Sequence, residues 1–261
     1  MKIQTLLIPE IERLEESAAL AKKYHAAFEY NDFFLPEVYG NKQEVEKRIR
    51  LYQGLNRDTA KDTLHGVFLD MTVHSSDSVI AEYSKQCIRQ SMEIGKRLQV
   101  KGVVFHTGLL ANFKQSAYVE NWLKKNEEFF RQLCAEYTDL EVYMENMFDQ
   151  DPELLAAFAE KMKDVTNFGI CLDYAHAALT PCSQQEWMCA CMPYIKHMHI
   201  NDNNQTEDQH RPVGTGSIDW KQWKEQMKTM EKGKAPSVLI EVQNLEAYEE
   251  SMRFLGNLLE D

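Results

Sequence analysis

The chain has 261 residues, 44% of them hydrophobic, which is enough for one large domain with a substantial core and requires no second domain. Its 29 basic and 41 acidic residues give a formal net charge of −12, which disfavours nonspecific binding to a phosphate backbone. A nucleic-acid partner is therefore disfavoured but not excluded, since bound metals or a local basic patch could reverse that sign at a site.

The N-terminal segment contains only a short apolar run, which Pro9 and Glu10 interrupt. We expect a first strand here, without a signal peptide or membrane span, and hence a cytoplasmic protein with no membrane association. The six cysteines show no Cys-x-x-Cys spacing, so we expect reduced thiols that neither form disulfides nor bind metal.

Short β-rich runs alternate with longer amphipathic stretches along the chain. The eight strand candidates are 3–8, 26–30, 63–69, 102–106, 140–145, 169–173, 195–200 and 238–242. Helix start signals lie between several of them, at Asp151 with Pro152, at Ser183, at Asp219 and at Asn244. This order predicts parallel strands with crossover helices, closed into a barrel. The alternative, an open doubly wound sheet, is disfavoured because no glycine-rich phosphate loop follows the first strand.

One amphipathic stretch, 76–100, illustrates the expected helix packing. Its apolar positions among charged residues include Val79, Tyr83, Cys87, Met92 and Ile94. The pattern predicts a helix that covers the sheet with one face, and we expect Cys87 and Met92 in the core.

Histidines and carboxylates stand where the strand candidates end. In chain order they are His65, His106, Glu145, Asp173 with His176, His199, the loop pair Asp208 and His210, and Glu241. Strand ends of a (β/α)8 barrel converge on one mouth, and these side chains are typical ligands of zinc, manganese or magnesium. Four carboxylates in a partly dry mouth also require compensating cations. We therefore predict a metal site at the mouth.

Other polar residues carry weaker signals. His197 stands two residues before His199, so it points to the same side but deeper, and we interpret it as structural. His25 and His74 lack a ligand-like context. Glu29 ends the second strand candidate, where it either reaches the mouth or is exposed.

Arg211 follows the seventh strand candidate and precedes a glycine-rich turn. Barrels commonly bind phosphate through their seventh and eighth loops, so Arg211 is a candidate for binding a substrate phosphate or carboxylate. A surface salt bridge is the alternative interpretation.

The strand-end motifs together resemble a known superfamily. They are Val104-Phe105-His106, Glu145-Asn146, Cys171-Leu172-Asp173-Tyr174-Ala175-His176, His199-Ile200-Asn201-Asp202, the segment 208–220 and Ile240-Glu241. This combination resembles the xylose isomerase-like superfamily, which contains sugar isomerases, sugar epimerases and endonuclease IV. The resemblance implies a single TIM-barrel domain over 1–261, with its metal site at the C-terminal ends of the strands.

The resemblance also implies a ligand set of the fuller, endonuclease IV-like kind. The three implied metal positions are His65, His106 and Glu145; Glu145, Asp173, His199 and Glu241; and His176, Asp208 and His210. Sugar isomerases of the superfamily need only the second position. The expected cofactor is thus a divalent metal, zinc or manganese, with one to three ions per chain.

Two chemistries fit this ligand set. In the first, which we favour, the metal stabilises an enediolate of a small sugar or sugar phosphate while Glu145 and Glu241 act as acid and base. In the second, clustered metals activate a hydroxide that attacks a phosphodiester, as in endonuclease IV. An endonuclease needs basic and apolar wedge loops, and only 109–114 has that composition. A catalytically silent metal- or ligand-binding barrel is a third possibility.

Overall fold

A computed structural model describes residues 3–110, 113, 115–230 and 235–260. Eight parallel strands close into a barrel in chain order, and the last pairs with the first. The strands are β1 (Thr5–Leu7), β2 (Ala27–Tyr30), β3 (Thr63–His65), β4 (Gly102–His106), β5 (Glu141–Glu145), β6 (Phe168–Asp173), β7 (Ile195–Ile200) and β8 (Ser237–Ile240). The predicted (β/α)8 TIM barrel is therefore confirmed.

Helices surround the barrel. Within the described residues they are α1 (Leu14–Tyr24), α2 (Pro36–Tyr39), α3 (Lys42–Gly54), α4 (Ser78–Leu98), α5 (Ser116–Glu136), α6 (Glu153–Lys161), α7 (Tyr174–Ala177), α8 (Gln184–Cys191), α9 (Trp220–Thr229) and α10 (Leu245–Glu260), with 3-10 helices at Ile11–Arg13 and Met192–Tyr194. None of those helices has both the length and the apolar run that crossing a bilayer requires.

Three of the four predicted helix starts, at Ser183, Asp219 and Asn244, correspond to side-chain caps. The fourth does not, because Pro152 itself occupies the cap position of α6 and makes no side-chain cap, while Asp151 Oδ1 accepts the Glu153 N–H at 3.2 Å. Ser183 forms a capping box with Glu186, and the Asp219 carboxylate accepts the first backbone N–H groups of α9. Asn244 Oδ1 accepts the N–H of Ala247 at 2.8 Å. Polar side chains in the connecting loops therefore define where several of the outer helices begin.

Two strands end at least two residues before their predicted C-terminal boundaries. β3 ends at His65, because the chain leaves the sheet after Gly66 and reaches Asp70 in a left-handed conformation with φ 60°. β8 ends at Ile240, although the Glu241 N–H still donates to the Ile200 carbonyl at 2.9 Å. Both differences are at the mouth, where irregular loops replace the sheet.

The predicted inward face of α4 is correct only in part. Cys87 and Met92 are buried as expected, whereas Val79 and Tyr83 are 76% and 53% exposed. In the first turns of the helix the inward positions belong to Ala81 and Ser84, so the larger side chains point to solvent.

Candidate metal centre

Strand alternation places the predicted ligands inside the barrel. Side chains two residues apart point the same way, so His197 and His199 form successive inward layers on β7. Parallel pairing then sets His106 beside Glu145 and Asp173 beside His199. The register of the sheet therefore converts distant positions in the sequence into one layer of side chains at the mouth.

All nine predicted metal ligands lie together at the mouth in three groups. In each group the ligand atoms lie within 4.8 Å of one another. The groups are His65, His106 and Glu145; Glu145, Asp173, His199 and Glu241; and His176, Asp208 and His210. We call them the first, second and third groups. Glu145 belongs to two of them and connects them.

Lone pairs converge in the first group. His65 Nδ1 lies 3.0 Å from the Gly66 carbonyl, which can only accept, so this nitrogen carries the proton. Burial, with the neighbouring His106, lowers the pKa of His65, which leaves its Nε2 without a proton. That Nε2 lies 3.1 Å from His106 Nε2 and 3.7 Å from Glu145 Oε2. A cation is the natural partner for such a cluster.

The third group has the same arrangement. His176 Nδ1 and His210 Nδ1 lie 3.0 and 3.1 Å from the backbone carbonyls of Asn146 and Glu241. Their Nε2 atoms both approach Asp208 Oδ2, at 3.3 and 3.1 Å. One carboxylate oxygen thus lies between two imidazoles whose orientation the backbone fixes.

Protons can substitute for cations here. Burial lowers the pKa of His176, but the Asp173 and Asp208 carboxylates outweigh it and hold that pKa well above its usual range. Burial also lowers the pKa of His210, but the Asp208 hydrogen bond and the Glu241 charge outweigh it and raise that pKa to about 9. The group thus attracts positive charge, as protons or as a metal ion.

Several buried polar atoms of the second group have no hydrogen-bond partner. Among the described residues they include Glu145 Oε2, Asp173 Oδ2, Glu241 Oε2 and both ring nitrogens of His199. His199 Nδ1 nevertheless lies 3.1 Å from Glu145 Oε1 and 3.4 Å from Glu241 Oε2. Burial raises the pKa of Asp173, and the Glu241 and Glu145 charges raise it further. His176 lowers it, and the resulting pKa is about 7. These donors fit a divalent cation, which would satisfy them together.

Glu29 is fully buried below the second group, so the interpretation as an exposed carboxylate is wrong. Its Oε2 accepts hydrogen bonds from Thr63 Oγ1 at 2.5 Å and His197 Nε2 at 2.9 Å. Its Oε1 lies 3.1 Å from His199 Nε2. This contact is an ion pair without hydrogen-bond geometry, and it would leave His199 Nδ1 free to bind a cation while the Glu29 charge holds the ring in place. Period-two alternation from Ala27 could have indicated this inward position.

The loop that carries Asp208 and His210 has its own anchor. The Asp202 carboxylate accepts from the Gly214 N–H at 2.9 Å and from the Trp220 indole at 2.8 Å. A Cβ on Gly216 would lie 2.2 Å from Asp202 Oδ1, so only glycine fits there. The glycine-rich turn therefore shapes the loop around a buried carboxylate.

Other singled-out residues lie apart from the three groups. The exposed Arg211 donates to the Thr215 carbonyl of its own loop, and its role in substrate binding stays a prediction. His74 Nε2 lies 3.0 Å from the Tyr118 hydroxyl, and burial lowers its pKa to about 4. His25 caps the end of α1. In the loop 109–114, positions 111, 112 and 114 lie outside the described residues.

A buried carboxyl next to the centre gives a test of stability. Asp149 Oδ2 accepts from Thr107 Oγ1 and the Met147 N–H, and burial raises its pKa to about 6. Because this pKa exceeds the unfolded value of about 3.9, folding stability from this group is complete below that value and is lost as the pH rises through about 6.

Asp149→Asn should therefore stabilise the protein at pH 8, by about 1 to 3 kcal/mol. At pH 5 the gain should fall to roughly half, because less stability is then lost to the ionisation of the buried Asp149 carboxyl in the parent protein. Urea denaturation of both proteins at the two pH values measures the difference in their free energies of unfolding. A variant that is less stable than the parent at pH 8 would contradict this assignment.

Comparison with known proteins places the chain in a family. The family model for the xylose isomerase-like TIM barrel matches residues 14–258. The uncharacterized protein MJ1311 of Methanocaldococcus jannaschii is 28% identical over 207 residues, covering 76% of this chain and 69% of that protein.

Solved structures share the fold. A D-tagatose 3-epimerase-like protein has a TM-score of 0.77 at 23% identity, covering 99% of this chain and 97% of its own. The TTHB071 protein from Thermus thermophilus, soaked with ZnCl2, has a TM-score of 0.76 at 20% identity, covering 100% and 98%. Because the family model spans nearly the whole sequence, the chain belongs to the xylose isomerase-like TIM barrel family.

Proposed function

We propose that this protein is a divalent-metal-dependent isomerase or epimerase of a small sugar or sugar phosphate, working through an enediolate. The observation that carries the proposal is the position of two glutamates, the buried Glu145 and the largely buried Glu241. Glu145 and Glu241 approach the same nitrogen of His199, at 3.1 and 3.4 Å, from different strands. Each retains an oxygen without a hydrogen-bond partner. Two such carboxylates suit the transfer of a proton away from a carbon and back.

Each residue of the second group has a part in this proposal. Glu145, Asp173, His199 and Glu241 would hold one zinc or manganese ion. A bound divalent ion supplies Lewis-acid stabilisation of the enediolate oxygens. One glutamate would take the proton from the carbon beside the carbonyl, and the other would return a proton. The sugar epimerase-like protein with the same fold supports this substrate class by analogy.

The second candidate is an endonuclease IV-like phosphoesterase, and a specific observation favours it. The first and third groups are complete, although a sugar isomerase of this kind needs only the second. The carboxylates Glu29, Glu145, Asp173, Asp208 and Glu241 sum to −5. Three divalent ions would thus leave +1, which would favour an anionic substrate. Without Glu29, the four predicted carboxylates and three divalent ions would sum to +2.

Replacement of His176 or His210 with Asn separates the two candidates. An isomerase should keep its kcat within about threefold, whereas a phosphoesterase that needs three metals should lose at least about a hundredfold. Turnover is measured with a panel of ketoses and with a duplex containing an abasic site. His25→Asn is the matched control, because Asn tolerates the left-handed conformation with φ 53° at that position. No turnover of either substrate by the metal-loaded parent would indicate a silent barrel.

A further inference from the structure

Exposed apolar side chains cluster on one side of the mouth. Leu69, Leu110 and Phe148 are 50%, 62% and 64% exposed. They lie on three successive loops, after β3, β4 and β5. Such a concentration of apolar surface on neighbouring loops is typical of a binding surface.

A cavity of about 250 Å³ lies between these loops and reaches the metal centre. Phe68, Leu69, Met71, Met147 and Phe148 form most of its apolar wall, and His106 is also part of it. The His106 ring lies 4.4 Å from the Phe68 ring, and its Nδ1 lies 2.9 Å from Met147 Sδ. One face of a predicted metal ligand therefore forms the inner end of the cavity.

A second cavity of about 370 Å³ lies next to the first. It shares Leu109 and Leu110 as wall residues and extends between α5 and α6 along Val119, Leu123 and Leu154. We call the two together the apolar groove. The described residues that line it include Asp70, Asp151 and Glu153 but neither lysine nor arginine. The described lining, apolar with three carboxylates, therefore disfavours a phosphate backbone and favours an uncharged apolar group.

We propose that the substrate carries an aryl or alkyl group, attached to the sugar or phosphate that the metal centre holds, and that this group binds in the apolar groove. The proposal rests on the proposed metal-dependent function, because His106 belongs both to the first group and to the groove wall. A free hexose has no apolar group that could cover the apolar walls of the groove. A cavity of roughly 150 Å³ already accepts a benzene ring, so the inner cavity alone is large enough for a phenyl group.

Binding of paired ligands to the zinc-loaded protein tests the proposal. Phenyl phosphate should bind at least about tenfold more tightly than methyl phosphate, and straight-chain alkyl phosphates should gain about threefold per methylene. The same comparison with phenyl and methyl β-glucosides tests a sugar headgroup. Equal affinities within both pairs, or no binding by either pair, would overturn the proposal.

Two exposed wall residues give the matched variants. In the double variant Leu69→Ser, Phe148→Ser the phenyl-to-methyl ratio should fall to about two, with the affinity for methyl phosphate unchanged. Leu51→Ser is the control, because Leu51 is 42% exposed on α3, away from the groove. A ratio that stays at tenfold in the double variant would place the phenyl group elsewhere.

Methionine methyl signals locate the bound group directly. In protein labelled with ¹³C at the methionine methyls, phenyl phosphate should shift the signals of Met71 and Met147, whereas methyl phosphate should not. Met92, fully buried in α4, should be silent with both. Shifted Met71 and Met147 signals without turnover of any substrate would refute only the proposed function. Turnover of a sugar, with unshifted Met71 and Met147 signals and no preference for the phenyl ligand, would refute only the proposal that the apolar groove binds part of the substrate.

Discussion

Replacement of Glu145 with Gln is expected to lower kcat by about a thousandfold or more and to reduce metal binding. Glu145 connects the first and second groups: its Oε2 lies 3.2 Å from His106 Nε2, and its Oε1 lies 3.1 Å from His199 Nδ1. The amide removes one negative charge from a fully buried site and presents an N–H₂ group where a cation is expected. Because Glu145 has both proposed roles, the variant would lack a metal ligand and a proton carrier at once.

The measurement is kcat with the best ketose of the panel, together with metal content after dialysis. Glu141→Gln is the matched control, since Glu141 lies at the other end of the same strand and pairs with Lys101 and Lys196. The control should retain activity and metal. Full activity in the Glu145 variant, with the fold verified by circular dichroism, would remove the proposed mechanism.

Replacement of Glu29 with Gln should weaken metal binding by about tenfold to a hundredfold without direct contact to the metal. The two carboxylate oxygens of Glu29 lie within 3.1 Å of three polar atoms, Thr63 Oγ1, His197 Nε2 and His199 Nε2. Gln keeps one acceptor oxygen and directs N–H donors at those of the three atoms that the oxygen does not contact. His199 would then lose the partner that fixes its orientation.

Zinc affinity of the Glu29 variant is measured by competition with a chelator, and the visible spectrum of the cobalt-loaded protein reports the coordination geometry. Ser237→Ala is the comparison, because it removes only the hydrogen bond between Ser237 Oγ and His197 Nδ1, at 2.7 Å. That variant should stay within about threefold of the parent. Unchanged affinity and an unchanged spectrum in the Glu29 variant would show that His199 needs no support from below.

The ligand layer could be predicted because its signal is periodic. Glu145 and Asp173 end β5 and β6, and His199 is the last residue but one of β7, so parallel strands bring the three side chains to one level. The loop pair Asp208 and His210 is predicted from the family resemblance and from its position after His199. Side-chain type, strand period and barrel closure are therefore sufficient to predict which strand residues meet at the mouth.

Strand alternation from Ala27 indicates the inward side for Glu29, but the local sequence does not show which groups surround the carboxylate there. Its environment is set by Thr63, His197 and His199, which are distant in the chain. Leu69 ends a predicted strand, yet it lies in a loop. Irregular loops have no period, so the apolar groove they form was not predictable from the sequence.

Plasma emission analysis of the purified protein tests most directly whether the histidines and carboxylates at the mouth surround bound cations. We predict one to three divalent ions per chain, with zinc or manganese regained after removal by a chelator and lost again in the Glu145 variant. Three ions would favour the phosphoesterase candidate over the isomerase. Protein that purifies free of metal, and takes up neither zinc nor manganese at micromolar concentration, would contradict the proposed metal centre.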